Sequence, residues 1–282
     1  MQFYSPLRYP GGKNKLAKFV ALICEKNAVS GHYVEPYAGG ASVALHLLFN
    51  GHVKEVTIND YDRAIYAFWY SILNDTEKFC RKIRNTDVTL ETWRKQKKIQ
   101  NNKATEKNLL KLGFSTFYLN RTNYSGIIDG GMIGGVSQDG NYKINCRFNK
   151  QELIDRIKFI AIHKKYIHIK NMDALDLVKK INKDKDTIFY FDPPYYLKGP
   201  SLYMNHYAHQ DHERVSEEIK KIKKAKWIVS YDNTSEIKKM YDKCNKKEYT
   251  FFHTAYNARM GKEILFFSKN LLIPRVESPT SI

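Results

Sequence analysis

Two parts of the chain alternate short apolar runs with amphipathic runs, which is typical of an α/β sheet. In the first part, β-rich runs at residues 33–35 and 56–58 alternate with helical patterns at 41–49 and 63–73. In the second part, runs at 167–169, 187–191 and 227–229 alternate with helical patterns at 175–181 and 215–222. This order predicts a mostly parallel sheet that is covered on both faces.

The C-terminal part and the middle of the chain depart from this alternation. Apolar runs at 249–253 and 264–267 are joined by a loop that contains Gly261, which indicates an antiparallel hairpin at one edge of the sheet. Between the two α/β parts, a helical pattern at 103–118 runs into a glycine-rich segment. We therefore predict a mixed α/β core formed by residues 1–75 and 166–282, with a helical insertion at 76–165.

The composition predicts a soluble protein with an acidic partner. The 47 Lys and Arg residues outnumber the 29 Asp and Glu residues, for a net charge of +18. Nucleic acid satisfies such a charge, and so does an anionic membrane surface. No secretion signal or membrane-spanning stretch is apparent, so we expect a cytoplasmic location. The four cysteines are far apart, which is typical of reduced thiols and not of a metal site.

The strongest candidate for chemistry is Asp192-Pro193-Pro194-Tyr195, which follows the apolar run at 188–191. Ligands of open α/β sheets bind at this end of the strands. The two prolines alone are also explained by a strand that simply stops, because neither can extend a ladder. A strand stop does not explain an acid before the prolines and an aromatic residue after them. We therefore predict that this segment is catalytic.

A second candidate site is the glycine turn Glu35-Pro36-Tyr37-Ala38-Gly39-Gly40. Its glycines allow a ligand to approach the backbone, although a plain tight turn has the same pattern. Asp60 follows the next predicted strand, where it can accept hydrogen bonds from ribose hydroxyls or cap the next helix. At the N-terminus, Pro10-Gly11-Gly12-Lys13 suggests an anion loop, but its spacing is not that of a P-loop nucleoside triphosphatase.

In this order, the motifs resemble those of the Dam-like, or D12-class, adenine-specific DNA methyltransferases. The matching segments are residues 9–13, 35–40, 60, 117–126 and 192–195, so the resemblance covers nearly the whole chain. It implies a Rossmann-like methyltransferase core with a helical DNA-recognition insertion. S-adenosylmethionine would be the methyl donor, S-adenosylhomocysteine the product, and no metal is expected. The implied partner is double-stranded DNA, and the enzyme would be a monomer, either accompanied by a restriction endonuclease or acting as an orphan methylase.

The resemblance also implies which residues bind the cofactor. They are Tyr9, Lys13, Glu35, Gly39, Asp60, Asp173 and Asp192. For Asp173, a helix N-cap explains the sequence equally well. Residues 230–233 resemble a late family motif near the target base, and a turn capped by Thr234 or Ser235 explains them nearly as well.

The catalytic segment suits methyl transfer to an adenine amine. This amine is a poor nucleophile because its lone pair is delocalised into the ring. The Asp192 carboxylate and the Pro193 carbonyl can each accept one amine hydrogen, which directs the lone pair toward the methyl donor and stabilises the developing positive charge. The adenine must be flipped out of the duplex, and Tyr195 would then stack on it. Pro194 completes the predicted catalytic set.

Three residues of the insertion match a family segment that lies against DNA: Asn120, Arg121 and Tyr124. Arg binds phosphates or base edges, and Tyr can enter the base stack. Alternatively, Asn120 caps a helix and Tyr124 packs within the protein. Residues 127–135 lack the arginine that GATC-modifying relatives carry, so the recognition sequence is left open.

Two other functions fit less well. Enzymes that methylate RNA or a protein amide more often carry Asn at the first position of the Pro-Pro-aromatic motif, where this chain has Asp192. A catalytically silent DNA-binding relative would have lost parts of the cofactor site, whereas Tyr9, Lys13, Asp60 and Tyr195 are present. We therefore predict a site-specific DNA adenine methyltransferase.

The positive charge predicts that non-specific affinity for DNA falls steeply with salt. Each phosphate that is neutralised by Lys or Arg releases a counterion, and about six to ten such contacts cost roughly three to five orders of magnitude between ~50 and ~200 mM salt. Fluorescence anisotropy with a labelled duplex of random sequence measures this slope. A flat salt dependence would contradict a basic DNA-binding surface.

Overall fold

The computed structural model describes residues 3–8, 13–181, 183–197, 207–253 and 259–281. The chain divides into two compact units. We call Met1–Gly12 with Asp60–Asn171 the insertion unit, and Lys13–Asn59 with Met172–Ile282 the sheet unit. The predicted functional division, a catalytic core at 1–75 and 166–282 around a DNA-recognition insertion at 76–165, stays a prediction. Within the described ranges, no helix is both long and apolar enough to span a bilayer.

The described residues form seven strands and ten α-helices. The strands are β1 (His32–Glu35), β2 (Glu55–Asn59), β3 (Ile167–Lys170), β4 (Thr187–Phe191), β5 (Lys226–Asp232), β6 (Asn245–His253) and β7 (Arg259–Phe267). The helices are α1 (Ala17–Lys26), α2 (Ser42–Phe49), α3 (Arg63–Asn74), α4 (Thr76–Asn85), α5 (Leu90–Asn101), α6 (Leu109–Thr122), α7 (Lys150–Ile162), α8 (Ala174–Lys180), α9 (His209–Lys220) and α10 (Ser235–Met240).

In the sheet unit, six strands form a mixed sheet in the order β2-β1-β4-β5-β7-β6. The pairs β2-β1, β1-β4 and β4-β5 are parallel, whereas β7 is antiparallel to both β5 and β6. The inner order 2-1-4-5 is that of a doubly wound Rossmann sheet. The predicted mixed, mostly parallel α/β core and the predicted hairpin of β6 and β7 at one edge are therefore confirmed.

Side chains alternate between the two faces of this sheet. One face is apolar and packs against α8, α9 and α10 as a single core. Its strand residues are Val34, Phe189, Phe191, Trp227, Val229, Tyr231, Ile264 and Phe266. The helices contribute Leu175, Val215 and Ile237, among others. This core fixes the register of the inner strands, because a slip by one residue would turn all of these side chains to the other face.

The opposite face is polar near the carboxyl ends of the parallel strands. By register, Glu35 lies beside Tyr190, Ser230 lies two residues beyond the partner of Tyr190, and Glu263 lies opposite Asp232. On this side, Phe19 of α1 packs edge-on against Phe267 of β7, with ring centroids 6.5 Å apart. The sheet therefore has helices on both faces, and its polar positions gather at one end of one face.

The insertion unit has its own core of stacked aromatic rings. Phe68 and Phe117 are stacked with ring centroids 6.0 Å apart, and Phe79 packs edge-on against both. Helix α6 approaches α3 closely at Gly113, where a Cβ would overlap the backbone of Ala67. Helix α6 begins at Leu109, later than the predicted 103, because the side chain of Asn108 accepts a hydrogen bond from Lys111 N and caps the helix.

Buried Asn120 ties the N-terminal segment of the insertion unit to the loop after α6. Its Oδ1 accepts a hydrogen bond from Arg8 N at 2.7 Å. Its Nδ2 donates to the carbonyl oxygens of Arg8 and Gly126, both at 2.8 Å. The backbone segments at Arg8 and Gly126 therefore lie against each other, and residue 126 has a positive φ of 78°.

Gly126→Ala should destabilise the protein more than a glycine substitution in open space. A Cβ at this position would overlap the carbonyl oxygen of Arg8, in addition to the strain of a positive φ. We expect a loss of about 3 kcal/mol or more in the free energy of unfolding. Gly135→Ala is the matched control, because its φ is also positive at 63° but nothing lies within 4 Å.

Urea unfolding of the two variants measures this difference. For Gly135→Ala we expect a cost of about 1 kcal/mol from the backbone alone. Equal stabilities for the two variants would contradict the close approach at Arg8.

Candidate active site

The carboxyl ends of β1 and β4 form the point where the strand order reverses. From β1 the chain continues to β2 on one side, and from β4 it continues to β5 on the other. Open α/β sheets bind ligands in the crevice at such a point. Glu35 is the last residue of β1, and Asp192 follows the last residue of β4. Two carboxyl groups that the sequence predicts as site residues therefore lie at the same crevice.

Asp192 is held by partners from two other segments. Its Oδ1 accepts a hydrogen bond from the Ser230 hydroxyl at 2.6 Å and pairs with Lys13 Nζ at 3.2 Å. Its side chain is 20% exposed, so a ligand can still reach it. Burial raises the pKa of Asp192, while Lys13 and Ser230 favour the ionised form. The carboxylate is therefore fixed in place and remains accessible.

Lys13 lies at the centre of a buried polar cluster. Its ammonium donates a hydrogen bond to the Tyr195 hydroxyl and pairs with Asp192 Oδ1 at 3.2 Å and with Glu263 Oε2 at 3.7 Å. Burial disfavours the charge, but the two carboxylates more than offset this, and the pKa of Lys13 is raised. We call Lys13, Asp192, Tyr195 and Glu263 the charged cluster.

The segment that follows Pro193-Pro194-Tyr195 is anchored to β5. Asp232 accepts hydrogen bonds from the backbone N–H groups of Tyr196 and Leu197, both at 2.9 Å. Thr234 caps α10 by accepting from Ile237 N, as one interpretation of this sequence motif predicted. The motif at residues 230–233 therefore orients Asp192 through Ser230 and the following backbone through Asp232.

Tyr195 is directed inward in this structure. Its hydroxyl donates to Glu263 Oε1 at 2.7 Å, and the Lys13 ammonium lies 4.7 Å from its ring centroid. The residue is only 2% exposed. Its predicted role of stacking on a base stays a prediction, as do the catalytic roles of Pro193 and Pro194.

Glu35 has one buried oxygen that can accept a ligand. Its Oε1 accepts hydrogen bonds from the Tyr33 hydroxyl at 2.8 Å and from Ala44 N at 3.3 Å. Its Oε2 is buried and has no hydrogen-bond partner among the described residues. The turn that follows contains two residues with positive φ, Gly39 at 47° and Ala41 at 48°. These features fit a ligand that brings a hydrogen-bond donor against a tight glycine turn, as a cofactor amino group would.

Asn59, which the sequence analysis did not single out, joins two sides of this crevice. Its Nδ2 donates to the carbonyl oxygens of Pro36 and Met172 at 2.9 and 3.0 Å, and its Oδ1 accepts from Met172 N at 3.1 Å. Asp173 follows directly and caps α8 by accepting from the N–H groups of Leu175 and Asp176. Asp173 therefore acts as the N-cap that one interpretation of the sequence predicted, whereas its contact with the cofactor stays a prediction.

Asp60 does not cap α3. The cap is Asp62, whose side chain accepts from Ala64 N at 2.8 Å. Asp60 instead accepts from Asp62 N at 2.9 Å through Oδ1 and shapes the turn between β2 and the helix. Its predicted ribose contact stays a prediction. Tyr9, the remaining predicted cofactor residue, lies outside the described residues.

The three predicted DNA-binding residues have different environments in the insertion unit. Asn120 is fully buried, whereas Tyr124 is 56% exposed. Arg121 donates through Nε to the carbonyl oxygen of Arg147 at 2.7 Å. Burial, followed by the neighbouring cations Arg8 and Arg156, lowers the pKa of Arg121 to about 9. An anion beside Arg121 would therefore relieve repulsion between cations.

Comparison with protein families identifies the chain. The family model for D12 class N6 adenine-specific DNA methyltransferases matches residues 9–254. The chain belongs to this family. The predicted resemblance and the predicted enzyme class, an S-adenosylmethionine-dependent adenine-specific DNA methyltransferase, are therefore confirmed. A curated relative of this D12-class enzyme is the Type II methyltransferase M.MjaIII of Methanocaldococcus jannaschii, which is 22% identical over 202 residues, 67% of this chain and 68% of the relative.

Solved structures resemble the D12-class enzyme only distantly. The protein PH1948 of Pyrococcus horikoshii, provisionally assigned as an RNA methyltransferase, has a TM-score of 0.42 and 10% identity, covering 91% of this chain and 84% of its own. SMU.472, provisionally assigned as a methyltransferase and solved with S-adenosylhomocysteine, has a TM-score of 0.37 and 14% identity, covering 93% and 54%. At these scores the likenesses add nothing to the family assignment.

Glu35→Gln should make the stability of the D12-class enzyme less sensitive to pH. Burial raises the pKa of Glu35 from 4.5 to about 8, so the folded state holds a proton that the unfolded state releases. The resulting stabilisation is fully present below pH ~4.5 and is lost as the pH rises through about 8. Relative to the variant, we expect the wild type to lose on the order of 2–4 kcal/mol between pH ~5 and ~9.

Urea unfolding at several pH values measures this loss. Glu217→Gln, which changes an exposed carboxylate on α9, is the control and should follow the wild type. An unchanged pH dependence in Glu35→Gln would contradict a buried, protonated Glu35.

Proposed function

We propose that this enzyme transfers a methyl group from S-adenosylmethionine to the exocyclic 6-amino group of an adenine that is flipped out of double-stranded DNA at a specific site. The observation that carries this proposal is the position of Asp192. The Asp192 carboxylate is held in place by Lys13 and Ser230 and is still partly exposed. It comes directly before Pro193-Pro194-Tyr195, at the crevice between β1 and β4. That is where a donor and a base would have to meet in an open α/β sheet.

The partners of Asp192 suit an acceptor for an amine. Both Lys13 and Ser230 contact Oδ1, and no hydrogen bond to Oδ2 occurs among the described residues. Oδ2 can therefore accept one hydrogen of the adenine amine, and the Pro193 carbonyl can accept the other. The amine nitrogen then becomes more tetrahedral and its lone pair is directed at the methyl group. Lys13 keeps Asp192 ionised for this role.

The crevice has residues that fit the cofactor. When the amino group of the cofactor binds, the Glu35 carboxyl would release the proton that it holds in the free protein, and its Oε2 would accept from that group. The turn at Gly39 allows close approach, and Lys13 lies beside the catalytic carboxylate. We propose that Tyr9, Asp60 and Asp173 complete the cofactor site. When bound, S-adenosylmethionine supplies a methyl group that is activated by the positive sulfonium.

The insertion unit suits a DNA partner. It contains 22 Lys and Arg residues against 11 Asp and Glu residues. We propose that Arg121 binds a phosphate, which would offset its repulsion from Arg8 and Arg156. Exposed Tyr124, next to Ser125 with a φ of 54°, would enter the base stack. Asn120 is buried, so we propose that it supports this surface by fixing Arg8 and Gly126.

The biological setting is a separate part of the proposal. We propose a monomer that acts in the cytoplasm of a bacterial cell, or of the host if the gene belongs to a phage. A restriction endonuclease of the same specificity would make it part of a restriction-modification system. Sequencing of modified adenines in DNA from cells with and without the protein tests for activity and reveals the target motif.

Asp192→Ala should remove nearly all methylation while DNA binding survives. Loss of one preorganised acceptor costs about two to three orders of magnitude in rate, and the DNA surface is not altered. Transfer of a radiolabelled methyl group to duplex DNA, single-stranded DNA and RNA measures the rate and the substrate preference. Asp242→Ala, at an exposed carboxylate after α10, is the matched control. Near-normal methylation by Asp192→Ala, or a preference for RNA, would contradict the proposal.

A further inference from the structure

Glu263 is a buried carboxylate on the second strand from one edge of the sheet. It is 1% exposed and lies on β7 next to the apolar run that begins at Ile264. The strand register sets it opposite Asp232 of β5 and opposite Tyr249 of β6. A buried carboxylate is costly unless it is paired and hydrogen-bonded, so its contacts have to account for its presence.

The contacts of Glu263 join three distant parts of the chain. Its Oε1 accepts a hydrogen bond from the Tyr195 hydroxyl at 2.7 Å, and its Oε2 accepts one from the Tyr249 hydroxyl at 2.5 Å. Lys13 Nζ lies 3.7 Å from Oε2. The carboxylate therefore contacts the residue that ends the catalytic motif and the cation that pairs with Asp192.

We propose that Glu263 is a positioning residue of the methyl-transfer site, which holds the Lys13 ammonium and the Tyr195 hydroxyl so that Lys13 stays charged and directed at Asp192. This inference rests on the proposed function for its effect on the reaction. It assigns a role to a residue outside the motifs that define the family resemblance.

The geometry supports this role because two carboxylates and a hydroxyl surround the ammonium of one lysine. An ammonium has three N–H donors on a flexible stem, and it points in one direction only when acceptors surround it. Here Asp192, Tyr195 and Glu263 all lie around Lys13 Nζ. Without Glu263, Tyr195 would also lose its acceptor and could turn away from Lys13.

The charges around Lys13 also support a positioning role for Glu263. Burial alone would lower the pKa of Lys13, and Glu263 is one of the two carboxylates that raise it instead. The titratable groups that face Glu263 include Lys13, Asp192, Tyr190 and Tyr249. Removing the negative charge of Glu263 leaves Asp192 to support the buried ammonium, so Lys13 should lose its proton at a lower pH.

Glu263→Gln tests the proposal because glutamine keeps the size and one carbonyl acceptor but not the charge. In single-turnover methylation of adenine-containing duplex DNA, we expect the rate to fall about 10- to 100-fold, as for a small misplacement of a catalytic group. The rate of the variant should fall further as the pH rises toward ~10, whereas that of the wild type should not. Glu248→Gln, an exposed carboxylate of β6 that pairs with Lys238, is the control and should match the wild type.

A double-mutant cycle separates positioning from a general structural role. If Glu263 acts through Lys13, Glu263→Gln should have little further effect in a Lys13→Met background. Multiplicative losses of rate, or a uniform loss of rate and thermal stability without a change in pH dependence, would overturn the proposal.

The protonation of Lys13 can also be measured in the free protein, without an assay of methylation. NMR of ¹³Cε-labelled lysine, with the Lys13 signal assigned from its absence in Lys13→Met, follows the protonation of Lys13. We expect a lower titration midpoint in Glu263→Gln and an unchanged one in Glu248→Gln. An unchanged midpoint in both would overturn the role of Glu263, even if the wild type methylated no adenine. An inactive wild type with a lowered midpoint would instead contradict the proposed function alone.

Discussion

The site depends on one buried ammonium. Lys13 is placed among Asp192, Glu263 and Tyr195 at the end of the sheet, where burial by itself would favour the uncharged amine. The paired carboxylates reverse this preference, and the ammonium in turn allows Asp192 to be ionised although it is largely removed from water. The ammonium is therefore tolerated because of the two carboxylates, and Asp192 is ionised because of the ammonium, against the repulsion from Glu263.

The fold beneath the charged cluster explains how Lys13 and Glu263, which are 250 positions apart in the sequence, come together. The antiparallel β7 lies between β5 and β6, so Glu263 comes next to the end of β5 and near the tip of β4. The apolar face of the same strands fixes their register against α8, α9 and α10. Packing on one face of the sheet thus determines which polar groups meet on the other face.

Much of this arrangement could be predicted from the sequence, but not its long-range pairing. Hydrophobic periodicity located β1, β2, β4 and β5 closely, and the Asp192 motif was recognisable at the end of its strand. Periodicity does not tell which strands are neighbours, so Glu263 was visible only as an acid at the edge of an apolar run. Helices α4, α5 and α7 lie in the predicted helical insertion but were not predicted individually, although the apolar residues that α4 and α7 bury do recur at helical spacing.

The hydrogen bonds that Asp232 accepts from the backbone beyond Tyr195 also limit the length over which neighbouring strands can pair. Two consecutive prolines offer no N–H groups, and the amides of Tyr196 and Leu197 are already occupied by a side chain. Strands β4 and β5 therefore do not continue to pair beyond Asp192. Because the two prolines are part of the covalent chain, β4 and β5 are already separated beyond this point in the free protein. The strands therefore do not have to separate when a ligand binds.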